Sequence, residues 1–194
     1  MNLRAVFARL SRLFKPNSQM PFPPNADELA FIKAIANHRE LAANLARLGH
    51  VHTSLELLRQ AEATALCWFR LGKELLLDAQ MALQHGHSRA TYSRAYYAAY
   101  NSSKALRYYA IGRVSLKGDD HGRAGADLPD DFPDVDLWSG KIGTLLEYRQ
   151  RADYDNWSTT QDEFALSPND CFDMAKSFID EVAKFFDSKF GVKV

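Results

Sequence analysis

The sequence predicts an all-α protein. Apolar residues recur at the three-to-four-residue spacing of one helix face through several long stretches of the chain. Capping residues and glycines separate these stretches, and no segment alternates apolar and polar residues for long enough to make a strand. We therefore expect an antiparallel four-helix bundle preceded by an N-terminal helical extension.

Composition limits the classes of protein that this chain can belong to. Its 194 residues are 46% hydrophobic, which suits one domain with an extension, and no run approaches the about 18 apolar residues of a membrane helix. The 24 basic and 24 acidic residues cancel, so any binding to nucleic acid or to an anionic membrane must be local. Cys67 and Cys171 lie in apolar-periodic segments, and we expect both to be small buried thiols in a reducing cytoplasm.

The N-terminal extension has two parts. Residues 1–20 predict a short basic amphipathic helix, with apolar residues at helical spacing and no acidic residue before Asp27. Docking onto the rest of the chain or onto a partner explains such a helix, and contact with RNA or a membrane surface is the alternative. Residues 21–53 predict a Pro-rich spacer and an extension helix that starts near Asn25 and ends at Leu48.

Residues 54–194 predict the bundle itself. Its first helix opens at an apparent capping box, Thr53 to Glu56, and its last opens with Ser167 as N-cap and Pro168 as the first helical residue. Gly112 is expected to end the second helix. The four helices are expected at residues 54–86, 90–111, 136–153 and 168–189.

The connection at residues 118–136 is unusually acidic. It holds seven aspartates and one arginine, and we expect a solvated loop in which aspartates serve turns and caps. A divalent-ion site has no fixed ligand spacing to support it here.

Histidine spacing gives no metal site. The pairs His50/His52 and His85/His87 stand at opposite ends of the first long helix, which at about 1.5 Å per residue holds them roughly 50 Å apart. They cannot share one ion within a monomer. The chain also has no glycine-rich phosphate loop, so we expect neither a metal nor a cofactor.

One polar stripe on the second helix needs a functional explanation. Arg94, Tyr97, Asn101 and Lys104 share this stripe, whereas the Tyr96 stripe is apolar enough to face the core. The same helix reads Ser-Arg-Ala-Tyr-Tyr-Ala over residues 93–98. It is followed by the turn Asp120-His121-Gly122 and by Arg-Gln-Arg-Ala-Asp-Tyr over residues 149–154.

In this order, the three segments resemble an uncharacterised bacterial branch of the HEPN family over residues 54 to 190 or so. HEPN proteins are small all-α nucleotide-binding domains of prokaryotic toxin-antitoxin and phage-defence operons. The resemblance implies that the site residues fall into two groups. The catalytic candidates are Arg94, Asn101 and His121, and the ligand-binding candidates are Tyr97, Lys104, Arg149, Asp153 and Tyr154.

Metal-independent RNA cleavage needs a base, an acid and a cation. Arg94 can supply the cation, since its planar fork suits phosphate. Active HEPN ribonucleases carry a histidine where this chain has Asn101, and an amide exchanges no proton near pH 7. His121 is then the only histidine near the motif in the expected topology, and a histidine titrates in the useful pH range. Asp153 also has a structural interpretation, in which it pairs with Arg94 or Arg149 and fixes the helix packing.

Three functions follow. The first is a HEPN-like module that binds a nucleotide, RNA or a partner protein in a defence or toxin-antitoxin complex, with weak or no catalysis. The second is an endoribonuclease in which Arg94 and His121 act across a homodimer. The third is a structural helical subunit. The implied partners are a second copy of the chain and a nucleotidyltransferase or other defence-complex protein.

Overall fold

The computed structural model describes residues 37–112, 114–115, 119–155 and 164–194, all within a single unit of residues 36–194. These ranges hold six helices and no strand, which confirms the all-α class for the described part of the chain. The helices are α1 His38–Arg47, α2 Val51–Gln84, α3 Ser88–Ile111, α4 Asp120–Ala126, α5 Val135–Tyr154 and α6 Pro168–Phe190. The predicted helix of residues 1–20 and the predicted helix start at Asn25 lie outside the described residues.

Helix α3 is central to the bundle, because it packs against α2, α5 and α6. It runs antiparallel to α5, since Arg89 at its start donates to the carbonyl oxygen of Ala152 near the end of α5 at 2.6 Å. It runs in the same direction as α6, since the Tyr109 ring near its end lies 5.0 Å from that of Phe186. The site described below is built along this helix.

Helices α2 and α3 pack closely against each other. A Cβ added at Gly72 would lie 2.5 Å from Ser102 Oγ and 2.9 Å from the carbonyl oxygen of Ala98. Fully buried alanines continue this face of α3 at Ala95 and Ala105. The small residues let the two helices approach closely and bury the side of α3 that borders its polar stripe.

The predicted helix ends are confirmed more often than the predicted starts. Gly112 (φ +92°) and Gly191 (φ +67°) end α3 and α6 in the left-handed conformation, and Ser167 forms a capping box with Asp170. The capping box predicted at Thr53 is wrong, because α2 begins two residues earlier, at Val51. Ser54 there donates to the carbonyl oxygen of Ala42 at 2.7 Å, since α1 packs over the first turns of α2.

The prediction of a solvated loop over residues 118–136 is wrong in part. Residues 120–126 form α4, and Asp120 at its start is buried because it pairs with Arg107 of α3. The prediction for Cys67 is also wrong. Cys171 is buried as expected, but Cys67 is exposed, because it lies about 200° around α2 from the buried Ala65.

Two absences hold for the part of the chain that the structure describes. None of its helices has both the length and the apolar content needed to cross a membrane. Within the same ranges, no three metal-ligating side chains are grouped closely enough to hold an ion. The histidine pairs stand at opposite ends of the continuous helix α2, His50 and His52 at its start and His85 and His87 after its last residue.

Candidate functional site

The three segments that carry the HEPN resemblance meet on one side of α3. We call Tyr97, His121, Arg149, Asp153 and Tyr154 the motif cluster. The Tyr97 ring lies 5.9 Å from the His121 ring, and the Arg149 guanidinium carbon lies 5.1 Å from the ring centres of both Tyr97 and Tyr154. Helices α3, α4 and α5 therefore each contribute to one polar and aromatic group of side chains.

Arg149 connects most of this cluster. Its Nη2 donates to the Tyr97 hydroxyl at 2.6 Å and to the Tyr154 hydroxyl at 3.4 Å. Its Nε lies 2.8 Å from Asp153 Oδ2, but the N–H points away from that line, so the contact is an ion pair without a good hydrogen bond. Asp153 thus pairs with Arg149, which was one of its two predicted structural partners. Arg149 Nη1 has no hydrogen-bond partner among the described residues.

His121 sits at the centre of the aromatic groups. Its Nδ1 lies 2.7 Å from the Tyr96 hydroxyl, and its ring stacks on that of Tyr100 with centres 4.4 Å apart. Burial lowers the pKa of His121, and the positive charges of Arg149 and Lys104 lower it further, while Asp120 acts in the opposite direction. The lowered pKa favours the neutral imidazole at pH 7. A neutral imidazole can either donate from Nδ1 to Tyr96 or accept there.

A buried ion pair fixes the position of His121. Arg107 Nη1 and Nη2 donate to the two carboxylate oxygens of Asp120 at 2.9 and 2.8 Å, and the Ser115 amide donates to the same carboxylate at 3.0 Å. Burial alone would raise the pKa of Asp120, but the hydrogen bonds and charge of Arg107 outweigh it and hold the pKa below its usual range. Since His121 follows Asp120 directly, this pair anchors the first turn of α4 to α3.

The remaining predicted residues stand around this cluster. Lys104 Nζ lies 5.9 Å from the Tyr100 ring and 4.3 Å from the Trp68 ring. Asn101 is buried, and its Nδ2 donates to the carbonyl oxygen of Tyr97 at 2.8 Å, within its own helix. Arg94 is exposed and has no hydrogen bond, ion pair or ring contact with any described residue. Its predicted proximity to Asp153 stays a prediction.

Sequence reasoning missed four residues that shape this site. Tyr96 was assigned to the apolar stripe, yet its hydroxyl contacts His121, and Tyr100 received no role although it stacks on the same imidazole. The signal was present in the run of tyrosines in one helix. Arg107 and Asp120 were missed because Asp120 was noted only as a neighbour of His121, and nothing in the sequence indicates that it is buried against Arg107.

Two comparisons with known proteins identify no relative of this chain. A scan against protein-family models finds no match to the chain, and a search of curated proteins finds none. The HEPN resemblance therefore rests on the three motifs and on their order along the chain.

Proposed function

We propose that this chain is a HEPN-like helical module that binds the phosphate of a nucleotide or an RNA at the motif cluster and cleaves RNA weakly or not at all. The observation that supports binding is the basic and aromatic composition around His121. Arg149 keeps Nη1 available, Lys104 stands beyond Tyr100, and the hydroxyls of Tyr97 and Tyr154 already orient the guanidinium. Cations hold phosphates and aromatic rings stack on bases, as RNA recognition requires.

Weak catalysis follows from Asn101. An amide cannot exchange a proton near pH 7, and the Asn101 amide is already engaged with the backbone of its own helix. A missing general base costs about 10² to 10⁴ in rate. Binding within a larger defence or toxin-antitoxin assembly, as a symmetric dimer along the motif helices, is the role that the family resemblance suggests.

A metal-independent endoribonuclease is the second candidate, and His121 is the observation that favours it. When Nδ1–H donates to Tyr96, Nε2 carries the lone pair that can take a proton from a 2′-hydroxyl. Burial raises the pKa of the Tyr96 phenol, so this partner stays protonated and does not compete as an anion. Arg94 or Arg149 would then stabilise the charge on the phosphorane.

One experiment separates these two candidates. A fluorescently labelled single-stranded RNA of about 12 nucleotides is incubated with the protein in EDTA, and binding and cleavage are measured on the same samples. We expect binding that weakens in Arg149→Ala and cleavage that is slow or absent. Arg59→Ala is the matched control, because Arg59 is an exposed arginine that pairs only with Glu56 on its own helix.

If the wild-type protein cleaves RNA robustly and folded Arg94→Ala and His121→Ala proteins do not, the proposed binding module is wrong and the protein is an endoribonuclease. If wild-type protein binds no RNA and no nucleotide, the structural subunit becomes the better interpretation.

A further inference from the structure

Seven side chains form an unbroken row in which aromatic rings and basic groups alternate. Neighbours in this row lie 4.3 to 5.9 Å apart, measured between ring centres and cationic centres. The row starts on α5, passes over α3 and α4, and ends on α2. In order, its members are Tyr154, Arg149, Tyr97, His121, Tyr100, Lys104 and Trp68.

The two ends of this row differ from its middle. Tyr154 is 69% exposed, and Arg149 covers one face of its ring, so the other face is open to a base. Trp68 is partly exposed at the opposite end, with Lys104 Nζ over its ring and the Tyr108 ring edge-on at 5.1 Å, so a base would stack on the ring area that these two contacts leave. The inner rings of Tyr97 and Tyr100 are packed against His121, so they hold basic groups in place and leave little area for stacking.

Lys104 is the cation of this row that pairs with no carboxylate of the described residues. Asp120, the carboxylate next to His121, is committed to the buried pair with Arg107. Asp153 lies against Arg149 on the same helix. Lys104 has no ion pair among the described residues, and burial lowers its pKa, so its ammonium gains by meeting an anion.

A single nucleotide has one base and can occupy only one end of this row. A single-stranded chain can place a base at each end and its phosphates over the basic groups between them, which is how sequence-tolerant single-strand binding is built. We propose that the row binds a single-stranded oligoribonucleotide, with stacking at Tyr154 and Trp68 and the backbone over Arg149 and Lys104. This inference rests on the proposed function and adds Trp68, which belongs to none of the three motifs.

The test compares ligands of increasing length on the full chain. Dissociation constants are measured for a mononucleotide, a trinucleotide and a hexanucleotide of RNA, with wild type and with Trp68→Ala, Trp68→Phe and Lys104→Ala. We expect at least a tenfold gain in affinity from mononucleotide to hexanucleotide. Trp68→Ala should weaken the hexanucleotide at least about fivefold and leave the mononucleotide unchanged, because one stacked base is lost. Trp68→Phe should restore most of the loss.

Salt dependence gives a second measurement on the same variants. Each phosphate neutralised in a single strand adds about −0.7 to the slope of log K against log salt concentration. Lys104→Ala should therefore reduce the hexanucleotide slope by about 0.7 without changing that of the mononucleotide. Leu77→Ala, which removes an exposed apolar side chain from α2, is the matched control and should change neither ligand's affinity.

Two outcomes overturn the proposal in distinguishable ways. If the mononucleotide binds but added length brings no affinity, or if Trp68→Ala weakens both ligands equally, the row does not carry a strand and the proposed function stands. If no ligand binds, the mononucleotide included, both proposals fail together. A hexanucleotide that binds equally well when paired with its complement also contradicts the proposal, since paired bases cannot stack at the two ends.

Discussion

Two arginines of helix α3, thirteen residues apart, have opposite surroundings. Arg107 is 1% exposed and holds Asp120 through two hydrogen bonds, whereas Arg94 is exposed and has no ion pair with a described residue. A buried guanidinium needs a carboxylate, because an unpaired charge in the interior is very costly. The same residue type is therefore structural on the closed side of the helix and available to a ligand on its open stripe.

The largest effect should come from the closed side. Arg107→Ala leaves the Asp120 carboxylate buried without its partner, and we expect it to lower the free energy of unfolding by about 3–5 kcal/mol in urea denaturation. The double variant Arg107→Met/Asp120→Leu removes both charges and should recover much of that loss. A single variant as stable as wild type would show that the pair does not anchor α4.

His38 of α1 packs on Tyr108 of α3. It tests whether a histidine that is buried between these two helices affects stability, as the buried Arg107 is expected to do. It is 1% exposed, its ring lies 4.5 Å from that of Tyr108, and its Nδ1 has no hydrogen-bond partner among the described residues. Burial, with a smaller effect from Arg39, lowers the pKa of His38 to about 4.

Because an unfolded histidine titrates near 6.5, the unfolded chain binds more protons between pH 6.5 and pH 4, and stability falls as the pH drops through this window. We expect the shifted pKa of His38 to make the free energy of unfolding about 3 kcal/mol lower at pH 4 than at pH 7. When unfolding is measured across this pH range, the free energy of unfolding of His38→Gln should fall about 3 kcal/mol less than that of wild type. His52→Gln, which changes an exposed histidine, should keep the wild-type pH dependence. Equal pH profiles for wild type and His38→Gln would contradict the prediction.

The contact between α2 and α3 should show a smaller effect. In Gly72→Ala the new methyl group meets Ser102 Oγ and the Ala98 carbonyl, and we expect a loss of about 1–3 kcal/mol through overpacking. Gly140→Ala is the control, because a Cβ there meets no atom within 4 Å and alanine stabilises a helix interior by about 0.5–1 kcal/mol. Thermal or urea unfolding should therefore shift in opposite directions for the two variants.

The open stripe should show the smallest effect on stability. Arg94→Ala is expected to change the free energy of unfolding by no more than about 0.5 kcal/mol, since its exposed side chain makes no hydrogen bond, ion pair or ring contact with a described residue. If Arg94 pairs with Asp153 and fixes helix packing, the variant will instead lose stability. That result would remove the contrast between the two arginines.

Much of the fold was predictable because it depends on local patterns. Glycine C-caps, the Ser167 capping box and apolar periodicity gave the class, and each of the four predicted long helices matches an observed one within a few residues. Two of the errors share a physical cause, because contacts from elsewhere in the chain overrode local signals, whereas Cys67 is exposed because of its position around α2. Helix α2 extends past the predicted N-cap Thr53 to Val51, where α1 packs over it, and Arg107 pairs with the first residue of a helix in the segment expected to be an acidic loop.

The sequence by itself determined the four long helices, the polar stripe of α3 and the candidate residues along it, since these follow from the 3.6-residue period and side-chain chemistry. Only the tertiary structure decided which partner each charge takes. It pairs Asp120 with Arg107 and Asp153 with Arg149, and it brings His121 between Tyr97 and Tyr100. The pairs depend on which helices pack together, because the aspartates are chemically alike and only the packing decides which arginine lies beside each carboxylate.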